Sequence, residues 1–101
     1  MNAILAKLGE IGIIPVIKIE NPGNAVPLVA ALIEGGLPCA EITFRTDAAA
    51  ASIKAIADAF PGFPVGAGTV INASLAQEAV DSGAQFIVSP GFNPAVVDWC
   101  V

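Results

Sequence analysis

The chain has 101 residues, enough for one domain at most, and its 55% hydrophobic content and mean hydropathy of +0.78 are high for that size. A net charge of −5, with basic residues scattered at Lys7, Lys18, Arg45 and Lys54, argues against a nucleic-acid surface, and the absence of histidine argues against a zinc site. A membrane span is excluded as well, because the charge-free runs are broken by Pro and Gly before reaching the roughly 18 apolar residues a span needs.

Residues 2–11 read as a short amphipathic helix that Asn2 caps and Gly12 stops, with Ile4, Leu5, Leu8 and Ile11 along one side. Residues 13–19 follow as a nearly continuous apolar strand, the pattern of a parallel strand covered on both faces. After a turn at 21–23, Asn24 opens a helix to Glu34 that buries Val26, Leu28, Val29, Leu32 and Ile33, and Gly35-Gly36 end it. The second strand is 39–44. Thr46 or Asp47 then caps a helix over 48–60, and the third strand is 64–70. Asn72 or Ser74 starts a helix to Ser82 with Gly83 as its C-cap, and the fourth strand is 84–90. Asn93 caps a last helix with Pro94 in its first turn, where proline is favoured.

The order is therefore β-α-β-α-β-α-β-α after the first helix, which predicts parallel strands joined by right-handed helical crossovers. Units of 22 to 26 residues suit the first half of a (β/α)8 barrel, and they also suit a small flavodoxin-like sheet. Two features favour the half-barrel. Polar residues collect at strand C-terminal ends (Lys18, Arg45, Thr69, Ser89), and residues 96–101 are an apolar helix without a polar tail, so residues 1–101 are expected to be the N-terminal half of one barrel domain. Cys39 and Cys100, far apart in sequence, read as buried thiols of a cytoplasmic protein, and no secretory signal is expected from residues 7–15.

The most informative stretch is Glu41 to Thr46. Strand alternation puts Glu41, Thr43 and Arg45 on one face and Ile42 and Phe44 on the other. An acid, a hydroxyl and a guanidinium in one row suit a ligand site, and they also suit a surface strand with a chance ion pair. Gly66 and Gly68 flank Ala67 either to let a ligand approach the strand or to allow tight helix–strand packing. Thr69 is either a ligand hydroxyl or an ordinary β-branched strand residue. Lys18 either meets an anionic part of a substrate or is solvated. The glycines are not a dinucleotide fingerprint, since the third is out of register, and no phosphate-loop lysine follows Gly68-Thr69.

Gly35-Gly36 before Glu41–Thr46, then Val65–Asn72, then Gly83–Gly91, in this order and spacing, resembles the first half of the 2-keto-3-deoxy-6-phosphogluconate (KDPG) and 4-hydroxy-2-oxoglutarate (KHG) aldolase family over residues 12–101. The resemblance implies a carbon–carbon lyase of the Schiff-base type that yields pyruvate, as a trimer, without metal or other cofactor. It implies that Glu41 moves protons, that Arg45 and Thr69 hold the pyruvate carboxylate, and that the Ser89-Pro90-Gly91 turn walls the pocket. Chemistry fits these roles: cleavage needs a base on a rigid element, and Arg grips a planar carboxylate with two hydrogen bonds. Arg45 is also expected to favour ionised Glu41. The imine-forming lysine of the family lies on a later strand, so these residues alone are expected not to turn substrate over. A non-catalytic half-barrel that assembles with itself or with a C-terminal partner is the alternative.

Overall fold

The computed structural model describes residues 2–101. Asn2 starts α1 (Ala3–Ile11) by accepting a hydrogen bond from the Ile4 N–H at 2.8 Å, and Gly12 ends it in the left-handed conformation, φ 84°. Beyond it come β1 (Val16–Ile17), α2 (Ala25–Glu34), β2 (Ala40–Thr43) and α3 (Ala49–Ala59). The second half of the chain forms β3 (Val65–Gly68), α4 (Ala73–Ser82), β4 (Phe86–Ile87) and α5 (Pro94–Cys100).

The strands form one parallel sheet in the order β1-β2-β3-β4, each beside its sequence neighbour. A flavodoxin-like sheet reverses its winding at a switch point and would place strands out of sequence. Here the chain winds one way only, and α3 packs between α2 and α4. This is the arc of a (β/α)8 barrel: four strands, with the helices on the convex side.

Alternation along each strand divides the residues cleanly. Ala40 and Ile42 of β2 and Val65 and Ala67 of β3 face the helices, meeting Val29 of α2, Ile53 and Ile56 of α3, and Ala76 and Ala79 of α4. The opposite, lumenal face carries Val16, Glu41, Thr43, Gly66, Gly68 and Phe86. On β4 the alternation slips. The Gln85 N–H donates to Val65 O and the Val88 N–H to Ala67 O, so three residues there span two on β3. This bulge allows Ala84 and Ile87 both to reach the helix-side core.

Several expected boundaries move. The strands are two to four residues long rather than six or seven, most of all β1 and β4, which have a neighbour on one side only. Asn24 makes no cap; Asn21 instead caps a 3-10 turn over Pro22–Asn24 that leads into α2. Thr46 and Asp47 do not occupy the cap of α3 either, although the Thr46 hydroxyl accepts from the Ala48 N–H at 3.3 Å. Asn72 rather than Ser74 caps α4, and Asn93 with Pro94 opens α5 as expected. On α2 the buried side chains are Ala25 and Val29, while Ile33 is exposed. Cys39 is buried, but Cys100 is exposed, because α5 buries only Val96.

Candidate active site

Glu41 sits in the middle of β2 with its side chain on the lumenal face, and only 7% of it is exposed. Its carboxylate lies across β3, over Gly68: a methyl at position 68 would overlap the carboxylate oxygen Oε2 and stand 2.5 Å from the carboxyl carbon. Beside Glu41 on the same strand, Thr43 is buried and its hydroxyl donates to Ile17 O at 3.4 Å. Burial pushes the Glu41 carboxyl above the ordinary glutamate range, and the Arg45 charge pulls it part of the way back. Arg45 favours the ionised form of Glu41 as expected, but desolvation, which the sequence did not reveal, outweighs the guanidinium.

Arg45 itself stands beyond the strand. β2 ends at Thr43, and Phe44 and Arg45 already lie in the turn to α3, so Arg45 leaves the row it was expected to share with Glu41 and Thr43. It is exposed and makes no ion pair among the described residues. It opens onto a cleft of about 280 Å³ shared with Asp47 and with Leu75 and Glu78 of α4.

Thr69 directly follows Gly68, half-buried beside the Glu41 carboxylate's seat, and has φ 58°. It is the one non-glycine residue with positive φ among those described. A β-branched residue held there is strained by about 1–3 kcal/mol, a cost met most often at functional sites. Pro90 lines a separate groove of about 200 Å³ with Val70, Ile71, Ser89 and Phe92. That turn is tied to the end of β3: the Ser89 hydroxyl donates to Val70 O at 2.7 Å and the Asn93 amide to Ile71 O at 3.1 Å. Lys18, just past β1, is exposed and pairs with Glu20 at 3.4 Å. Lys18, Arg45, Thr69 and Pro90 thus lie just past the C-terminal ends of the strands, and the Glu41 carboxylate reaches Gly68, the last residue of β3. The Glu41 carboxylate lies over Gly68, which Thr69 follows in the chain, whereas Arg45, Pro90 and Lys18 lie in separate surroundings.

The glycines of β3 have a use that neither sequence reading included. Gly68 makes room for the Glu41 carboxylate, and Gly66 for the ring of Phe86, three of whose atoms would overlap a methyl there. The occupants are the protein's own side chains. Phe86 carries no functional signal in the sequence, because only the strand register sets Glu41, Gly66 and Phe86 in one line across three strands. Among the described residues no cluster of three or more His, Cys, Asp or Glu side chains is arranged to hold a metal, and no helix is long and apolar enough to cross a membrane.

Four one-way β/α units, with a buried carboxylate and polar side chains gathered at the strand C-terminal ends, define a half-barrel of the (β/α)8 type. Known proteins agree. A model of the KDPG and KHG aldolase family matches residues 4–101. A 2-dehydro-3-deoxy-phosphogluconate aldolase of Treponema pallidum is 48% identical over 101 residues, which are 100% of this chain and 48% of that protein. The crystal structure of the Zymomonas mobilis KDPG aldolase with 3-phosphoglycerate superposes with a TM-score of 0.88 at 38% identity, covering 99% of this chain and 47% of that one. The Legionella pneumophila KDPG aldolase, with pyruvate captured as a covalent carbinolamine, gives 0.82 at 37% identity over 85% of this chain and 42% of that one. The chain belongs to the KDPG and KHG aldolase family, and it spans about half the length of the relatives it matches.

Proposed function

We propose that residues 1–101 are the N-terminal half of a single aldolase domain, and that the whole protein cleaves KDPG to pyruvate and glyceraldehyde 3-phosphate. KHG, giving pyruvate and glyoxylate, is the second substrate on this reading. The reaction runs through an imine between a lysine and the substrate ketone. On the family resemblance that lysine lies on a later strand, so Lys7, Lys18 and Lys54 are not assigned its role. Glu41 takes the proton from the hydroxyl next to the breaking bond, the electrons of that bond pass to the imine to leave an enamine, and the proton is returned to the enamine carbon. Arg45 and Thr69 bind the pyruvate carboxylate, Pro90 walls the pocket, and Lys18 meets the anionic tail of the substrate. The trimeric state is proposed from the family resemblance, and the cytoplasmic location from the two unpaired cysteines.

The observation that carries this proposal is the buried Glu41 carboxylate seated over Gly68, next to the strained Thr69. A proton shuttle works best when its pKa lies near the working pH, and burial moves Glu41 in that direction. The carbinolamine that the Legionella protein forms with pyruvate supports the imine route. The test is pyruvate release from KDPG and from KHG by a protein carrying this half together with the second half of the barrel. Glu41→Gln is expected to slow release by roughly 10²- to 10⁴-fold, the usual worth of a positioned acid–base group. Near wild-type cleavage by that variant would remove Glu41 from the chemistry.

A further inference from the structure

We propose that Phe86 is a positioning residue for Glu41, its ring walling the carboxyl group into the seat over Gly68 and keeping bulk water from it. The proposal rests on reading Glu41 as the proton-moving carboxylate. Gly66 and Gly68 lie two apart on β3 and so project to one face of the sheet. Over the first lies the Phe86 ring, reaching in from β4; over the second lies the Glu41 carboxylate, reaching in from β2. The two side chains therefore occupy adjacent places in one row, separated by about one strand repeat of roughly 7 Å along β3.

The backbone is built to aim the ring this way. The bulge at the start of β4 puts Ala84 and Ile87 on the helix side and leaves Phe86 on the lumenal face. On the far side of β2 no comparable cover exists, since Val16, opposite Glu41 on β1, is 63% exposed. The charged groups around the carboxyl are few. Arg45 follows on its own strand and Lys18 follows β1, already paired with Glu20, while β3 and β4 contribute none. Glu41 is nonetheless nearly buried, and the Phe86 ring is the large apolar group over the neighbouring lumenal position of β3. Water exclusion by Phe86 is thus a direct physical cause of the raised proton affinity of Glu41.

The experiment is a titration of the Glu41 side-chain carboxyl by carbon-13 NMR in the 101-residue chain, with Phe86→Ala and Phe86→Leu beside the wild type. Leucine lacks the Cε2 and Cζ atoms that rest on Gly66, so it opens the far end of the wall while keeping more apolar volume in the sheet than alanine does. Both substitutions are expected to lower the Glu41 midpoint toward that of an ordinary glutamate, alanine more than leucine. A packing role without influence on Glu41 would leave the midpoint where it is. A wild-type midpoint in either folded variant overturns the proposal. Because no turnover is measured, the outcome is independent of whether the cleavage assay succeeds.

Discussion

Gly68 is small because a carboxylate needs its space. Burying a carboxyl group against backbone costs desolvation, and the fold meets that cost by letting Glu41 hold its proton more tightly than an exposed glutamate does. Replacing Gly68 with Ala would drive a methyl into the carboxylate from a strand with little freedom to shift. The expected loss is about 1–3 kcal/mol, the usual cost of overpacking, read as a lower urea midpoint at unchanged slope. An unchanged midpoint would mean that the carboxylate gives up its seat over Gly68 at no cost to stability. At this scale the sequence was legible in part. Alternation alone puts Glu41 and Thr43 on one face, and the small residues at 66 and 68 announce a close approach. What approaches could not be read, because that depends on which strand lies alongside and in what register. The left-handed Thr69 gives no local signal at all: threonine is a poor choice for that conformation, so only the finished fold can hold it there.

Helices α1, α4 and α5 begin where Asn directs, and α1 and α4 end at a left-handed Gly, since such caps act locally and can be read locally. The strands were harder. A strand exists only as far as its neighbour pairs with it, so β1 and β4 shrink to two residues each and the row from Glu41 to Arg45 breaks at Thr43. On α3 one polar group stands out: Ser52 is fully buried and its hydroxyl has no hydrogen-bond partner among the described residues. An unpaired buried hydroxyl costs about 1–3 kcal/mol, and serine is a weaker helix former than alanine. Ser52→Ala is therefore expected to raise stability by about 1 kcal/mol, seen as a higher melting temperature. A drop in melting temperature would mean that the hydroxyl has a partner and contributes to the core.

The whole molecule is an arc with a finished outside and an open inside. The helix face is packed, whereas on the lumenal side Val16 of β1 is 63% exposed. Strand order settled the architecture in a way that periodicity could not, because β-α alternation alone fits both a barrel and a doubly wound sheet. Sequential neighbours without a switch point leave the barrel. The proposed chemistry gathers at the C-terminal rim of that arc, with Glu41 as its proton-moving group. The most direct measurement is deuterium uptake into the methyl group of pyruvate, followed by proton NMR in D2O with the half-barrel joined to its second half, while borohydride trapping reports the imine separately. Wild type is expected to exchange the methyl protons, and Glu41→Gln to lose about 10²- to 10⁴-fold of that rate with trapping intact. Exchange at the wild-type rate in Glu41→Gln, with the imine still trapped, would contradict the account.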